Sequence, residues 1–280
     1  MTFCSFFCYN TTMYDKEYVL FIDSGIGGLS IVKAFLDKKP DTNIIHYADV
    51  FNYPYGTKDE DYIGDILCNI YNDVSRDYDI EMIVIACNTA SVSALDFLRS
   101  KIDTIPIVGT VPAIKTAAQR TKNGRIGVVA TETTLKLNYV NGLIEKFAKN
   151  KQVFTKPSRL LVDAAEQFFT SSDVEAVVES ELSFFKEKDV DCLVLGCTHY
   201  SFLFEDIQRY FGKGVEIIDS REGVSKRAVS LMPKSVIDKD PHHLLILSKD
   251  DRDILRRYEK FNELLSIFND ITIREISNLN

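Results

Sequence analysis

No apolar run in this 280-residue chain approaches the roughly 20 residues needed to span a bilayer, so no membrane is expected as a partner. Six cysteines in the whole chain are too few for a disulfide scaffold, and none forms a Cys-x-x-Cys pair. The spacings Cys4/Cys8 and Cys192/Cys197 match no zinc pattern, and His46, His199, His242 and His243 supply no HExxH. No metal is therefore expected. An excess of basic residues is also missing: the net charge of −8 leaves no broad electrostatic footprint for nucleic acid and favours a small-molecule ligand. Met1 to Asn10 is mildly apolar but has no basic segment ahead of it, unlike a signal peptide. A reducing cytoplasmic setting follows, which free thiols would need. There is no repeat with a period of roughly 20 to 50 residues and no low-complexity linker.

What is present is an alternation of short apolar runs with amphipathic stretches, the pattern of βα units and a parallel sheet. It predicts strands at Tyr18 to Ile22, Asn43 to Tyr47, Met82 to Ala86, Ile105 to Val108, Arg125 to Ala130, Cys192 to Leu195, Val215 to Ile218 and His243 to Leu247. A capping box at Ser172 to Glu175 and a cap at Ser248 to Asp251 each precede an apolar stripe at helical spacing. The expected fold class is α/β, with two similar lobes, each a mainly parallel sheet flanked by helices, and the active site in the cleft between them. An internal boundary is placed near Ser100 to Thr104. The expected organisation is an extension over 1–17, a first lobe over 18–100 plus 212–280, and a second over 101–211.

Two segments stand out. Ala86-Cys87-Asn88-Thr89-Ala90 and Gly196-Cys197-Thr198-His199-Tyr200 each place a cysteine where an apolar strand runs into a helix. Such junctions face the crevice at the carboxyl end of a sheet, where free N–H groups and positive potential favour anions and lower a thiol's pKa. Either cysteine alone reads equally well as a buried core residue. Two in matched polar settings point to a pair of acid/base thiols closing on one substrate. Asp23-Ser24-Gly25-Ile26-Gly27-Gly28 and Thr131-Glu132-Thr133-Thr134 also end apolar strands with small or polar residues, and ligands of open α/β sheets bind at such ends. The glycines of the first allow close approach of an anion. That turn lacks the lysine of a phosphate-binding loop and the three-glycine dinucleotide spacing, so on its own it reads as a capped turn.

Read in order, Phe21 to Leu29, Tyr53-Pro54-Tyr55-Gly56, Ala86 to Ser91, Val108-Gly109-Thr110-Val111-Pro112-Ala113-Ile114-Lys115, and Leu195 to Tyr200 resemble the glutamate racemase family. The resemblance spans about Tyr18 to Ile276; Met1 to Glu17 falls outside it. It implies proton removal from Cα of glutamate by one thiol and delivery to the opposite face by the other, without pyridoxal phosphate or any other cofactor. By carry-over, Cys87 and Cys197 are the acid/base residues, with Cys197 acting on L-glutamate and Cys87 on D-glutamate. Asp23 would support Cys87, and His199 would support Cys197. Asn88, Thr89 and Thr198 would bind the amino and α-carboxylate end; Ser24, Pro54, Tyr55 and Gly56 would surround the side-chain carboxylate; Thr131 and Thr134 would line the pocket. The family's second-lobe glutamate falls at Asp163 in Leu161-Val162-Asp163-Ala164-Ala165-Glu166, with Glu166 the other candidate.

Family members often have Gly-Thr-x-Gly-Thr where this chain has Ala130 to Thr134, so two glycines are lost. The implied role is supply of D-glutamate for peptidoglycan, cell wall biogenesis and cell shape. A peptidoglycan-precursor nucleotide as activator, known for some members with the Val-Gly-x-Val-Pro-Ala-Ile-Lys run, and a homodimer are compatible with it. The rival readings are an aspartate racemase of the same superfamily, a non-catalytic binding protein on the same scaffold, and a single-cysteine hydrolase that would leave one thiol unexplained.

Overall fold

The computed structural model describes residues 16–136, 138–167 and 173–275. Its strands are β1 (Glu17–Asp23), β2 (Ile44–Ala48), β3 (Asp79–Ile85), β4 (Ile107–Gly109), β5 (Arg125–Ala130), β6 (Gln152–Pro157), β7 (Cys192–Gly196), β8 (Glu216–Ile218), β9 (His243–Leu247) and β10 (Asp270–Ile273). They form a six-stranded sheet, β10-β9-β2-β1-β3-β4, and a four-stranded sheet, β6-β5-β7-β8. Every pairing within them is parallel. Parallel strands need long crossovers, and the helices that supply them cover both faces of each sheet.

The alternation along β1 assigns those faces. Val19 and Phe21 point into a core with Leu29, Val32 and Phe35 of helix Gly28–Leu36, Val224 and Ala228 of helix Arg221–Leu231, and Tyr258 and Phe261 of helix Arg252–Leu265. Tyr18, Leu20 and Ile22 point the other way, onto Ile63, Leu67 and Ile70 of helix Glu60–Val74 and Ala94, Leu95 and Leu98 of helix Asn88–Lys101. In the smaller sheet, Val129, Leu193 and Leu195 meet Leu182 and Phe185 on one face. On its other face Ile126, Val128 and Val194 meet Ile114, Ala117 and Val140, and Cys192 is a core residue there.

The sheets correct the expected boundaries. Ile107–Gly109 pairs with Ile83–Ile85 at the edge of the first sheet and so does not open the second lobe at 101. Glu216–Ile218 pairs with Cys192–Val194 and stays with the second sheet, so the first lobe does not resume at 212. The chain crosses between lobes after Gly109 and again after Ile218. The 1–17 extension is also trimmed, because Glu17 opens β1 and Lys16 pairs with Asp238. Two strands, β6 and β10, lie outside the eight expected spans: each is an edge strand whose residues are exposed or half-buried, so neither carries a continuous apolar run. Ser172 lies outside the described residues, and the helix after it begins at Val174. In the Ser248 to Asp251 cap the acceptor is Asp251, which receives the N–H groups of Asp253 and Ile254.

Candidate active site

Cys87 and Cys197 occupy matching positions beyond β3 and β7, the strands that flank β1 and β5 on corresponding sides. Both are extended in backbone (φ −124°, ψ 125° and φ −142°, ψ 134°) and buried, with 6% and 7% exposure. Cys87 is the N-cap of helix Asn88–Lys101. Cys197 differs from expectation: a 3-10 turn, Thr198–Leu203, intervenes before helix Phe204–Phe211. Both thiols line one cavity of about 340 Å³ between the lobes, within the size range of small-molecule sites.

The two thiols are backed by opposite chemistry. Asp23, at the carboxyl end of β1, is fully buried behind Cys87, with one carboxylate oxygen accepting the Gly28 N–H. Burial raises its pKa to about 6 even though His199 and the N–H donors oppose the shift. Cys87 is itself pushed well above the usual thiol range, first by burial and then by the Asp23 charge, although the helix N-terminus pulls the other way through Ala90. The expected lowering by the helix end is therefore overridden, and Cys87 rests as a thiol.

On the other side, the Cys197 Sγ lies 3.8 Å from Nδ1 of His199. Nε2 of the same ring is 2.9 Å from Oε1 of Glu166, and Oε2 of Glu166 accepts from Arg257 Nη1 at 2.5 Å. Burial works against charge on His199, but its bonds to Cys197 and Glu166 prevail and hold the imidazole well above its ordinary range. Glu166 is held below the usual carboxylate range because His199 and Arg257 outweigh its burial. The carboxylate on this side is thus Glu166, correcting the assignment to Asp163. Asp163 pairs instead with Arg159 at 2.8 Å, one helical turn earlier, where it is 41% exposed.

Two glycines permit this junction. A Cβ on Gly25 would come within 2.8 Å of Glu166 Oε1 and 2.9 Å of His199 Nε2. One on Gly27 would strike Thr198 Oγ1, and would sit 2.6 Å from His199 Nδ1 and 2.8 Å from the His199 backbone nitrogen. The last contact cannot be relieved by rotating a side chain. Gly27→Ala is therefore expected to displace the Cys197 turn and lower turnover by about 100-fold, the scale of an ångström-sized misplacement of a reacting group. Steady-state kinetics alongside circular dichroism will show whether activity falls while the fold is kept.

Ser24, Pro54, Tyr55, Gly56, Asn88, Thr89, Thr131 and Thr198 all line the cavity. Asn88 donates to the Thr110 carbonyl at 3.3 Å, and its Oδ1 is buried without a hydrogen-bond partner. The Tyr55 hydroxyl is already committed, donating to Asp49 at 2.7 Å. Thr134 does not line the cavity; it is fully buried and bonds Thr131 (2.8 Å) and Thr89 (3.3 Å), a hydroxyl cluster that joins the lobes. In the glycine-poor turn, Thr133 donates to the Gly56 carbonyl.

Arg257, Tyr53, Asp49 and Arg159 were not anticipated. Tyr53 and Arg159 line the cavity; Asp49 holds the loop bearing Tyr55, and Arg257 holds Glu166. Tyr53 stands in the Tyr53-Pro54-Tyr55-Gly56 motif, but nothing in the local sequence distinguishes Arg257, Asp49 and Arg159 from loop and surface residues. The carboxylates of Glu17, Asp79 and Glu81 converge within 4.8 Å, but they sit at the amino ends of β1 and β3, away from the cleft.

Two thiols facing one enclosed space, one backed by a carboxylate and the other by an imidazole, can take a proton from one side of a carbon and return one to the other. Comparison with known proteins finds racemases. The family model described as "Asp/Glu/Hydantoin racemase" matches residues 30–223. The chain is 40% identical to a glutamate racemase of Proteus mirabilis over 217 residues, covering 76% of this chain and 75% of that protein. Among solved structures, Escherichia coli glutamate racemase in complex with L-glutamate and the activator UDP-MurNAc-ala superposes with a TM-score of 0.86 at 29% identity, covering 94% of this chain and 100% of that one. The Francisella tularensis glutamate racemase bound to D-glutamate gives 0.77 at 28% identity, covering 94% and 98%.

Proposed function

This chain belongs to the Asp/Glu/Hydantoin racemase family, and from that premise we propose that its cleft interconverts L- and D-glutamate by two-thiol proton transfer without a cofactor. The observation that carries the reading is the pair Cys87 and Cys197, one from each lobe, on a single cavity. Cys87, raised by burial and Asp23, starts as the acid. Cys197, whose Sγ lies 3.8 Å from Nδ1 of His199, is assigned as the starting base. The resting enzyme is then set for L-glutamate: Cys197 removes the Cα proton and Cys87 protonates the opposite face. Asp23 and His199 take up and return the difference in charge as the two sulfurs exchange roles, and Glu166 anchors His199.

Asn88, which lines the cavity, is assigned to the substrate's amino end. N–H groups at the start of helix Asn88–Lys101, with Thr89 and Thr198, suit the α-carboxylate as negative charge builds beside it. Ser24, Pro54, Tyr55 and Gly56 surround the side-chain carboxylate, with Tyr55 contributing shape while its hydroxyl stays on Asp49. The reading extends to supply of D-glutamate for peptidoglycan in a reducing cytoplasm, with a nucleotide like that bound by the Escherichia coli enzyme as the class of activator to test.

Protein dialysed extensively against reductant and EDTA should interconvert the glutamate enantiomers, read by circular dichroism. Activity that returns only on adding a cofactor, or turnover of aspartate in preference to glutamate, would refute the reading.

A further inference from the structure

Arg257 belongs to helix Arg252–Leu265, which packs on the first sheet through Tyr258 and Phe261. Glu166 ends helix Leu160–Glu166 of the second lobe. The guanidinium crosses between them to Oε2 of Glu166 and leaves Oε1 to face His199. The run Arg257, Glu166, His199, Cys197 is thus continuous, with separations of 2.5, 2.9 and 3.8 Å. The same helix touches the Cys197 turn a second time, where the Phe261 and Phe202 rings lie 4.9 Å apart. Exposure falls along the chain of charges, from 39% at Arg257 to 12% at Glu166 and 5% at His199.

We infer that Arg257 is a positioning residue for the Cys197 half-reaction, holding Glu166 aimed at His199 only while the two lobes are together. The inference rests on the proposed role of Glu166. A guanidinium suits this task because it stays charged and its planar fork fixes the direction of a carboxylate. Separation of the lobes would pull Arg257 from Glu166, so the acid/base apparatus on the second lobe is complete only in the closed cleft. Besides Arg257 and His199, the groups facing Glu166 are Tyr258 from the C-terminal helix, Tyr53 from the loop after β2, and Arg159 from the foot of its own helix. Of these only Arg159 is cationic, and it is paired with Asp163, so loss of Arg257 is not replaced.

The test follows Cα-deuterium exchange in D₂O from each enantiomer separately at early times. Arg257→Gln is expected to slow exchange begun by Cys197 about tenfold more than exchange begun by Cys87, a part of what a well-placed acid/base partner contributes. The acidic limb of the Cys197 exchange should move to higher pH, since Glu166 then protonates more readily, while KM changes little. Arg257→Lys, which keeps the charge, should recover most of the loss.

Wild-type exchange from both enantiomers in Arg257→Gln, or equal slowing of both with a lower thermal midpoint, overturns the inference. If that variant does not fold, Arg257→Met, which keeps the packed stem, must show the same asymmetry. Glu166→Gln separates the two levels. If it too leaves both exchanges unchanged, the role of Glu166 falls and the inference with it; if it alone is impaired, only the role of Arg257 is lost.

Discussion

Replacing either Cys87 or Cys197 by serine should lower racemisation in both directions by about 10³-fold, within the range that a positioned acid or base contributes. Serine keeps the volume and the hydrogen-bonding pattern but is far less acidic than a thiol, so the site is preserved while one proton carrier is removed. Both directions fall together, because a racemase cannot shift an equilibrium between enantiomers. The asymmetry appears in isotope exchange. Cys87→Ser should still wash deuterium into L-glutamate through Cys197 while D-glutamate stays inert, and Cys197→Ser should do the reverse. A single variant that racemises within tenfold of wild type would remove the two-thiol reading. Exchange from both enantiomers in one variant would mean that a single base serves both faces.

Asp23→Asn should abolish most activity and yet make the protein more stable at neutral pH. Asp23 is fully buried, and its folded-state pKa of about 6 lies above the ordinary 3.8. A raised carboxylate pKa contributes stability that is present below the unfolded value and lost as pH rises through the folded one. Above about pH 6 the ionised Asp23 therefore costs the fold about 3 kcal/mol, an order-of-magnitude figure from some two pKa units. Asparagine keeps an acceptor for the Gly28 N–H and cannot ionise, so the cost disappears. The thermal midpoint should rise by several degrees at pH 7.5 and stay level or fall near pH 4. Exchange begun by Cys87 should drop about 100-fold, since the carboxylate that accepts its proton is gone. In the wild type that exchange should weaken as pH falls through about 6, where Asp23 takes up a proton. A variant no more stable at pH 7.5 than at pH 4, relative to wild type, would show that the buried charge is relieved by other means.

Much of the fold was legible because parallel strands buried on both faces leave continuous apolar runs. Arg125–Ala130 and His243–Leu247 match the expected spans, and the remaining expected strands were found with shifted ends. β6 and β10 escaped because they are edge strands without such a run. β4 and β8 were seen as strands and assigned to the wrong lobes. Each is three residues long, too short for its pattern to say which neighbour it joins. In the cleft, each cysteine was visible from its strand-to-turn setting, and so were Asp23 and the hydroxyl-bearing strand ends. Asp163 and Glu166 were harder to separate. They lie three residues apart on one helix and so on neighbouring positions of one face, differing by about 4.5 Å of axial rise. That rise leaves one carboxylate on Arg159 and carries the other to His199.

The amino-acid sequence by itself determined the alternating α/β architecture, the two thiols at strand ends and the family motifs, because burial periodicity and junction chemistry are local properties of the chain. The tertiary structure alone decided which sheet received the two short strands, why Cys87 rests as a thiol despite its helix end, and which carboxylate serves Cys197. It also brought Arg257 to Glu166 across a sequence separation of 91 residues. These are outcomes of packing between distant elements, where depth of burial sets the cost of a charge and the closeness of an opposite charge decides whether it is kept.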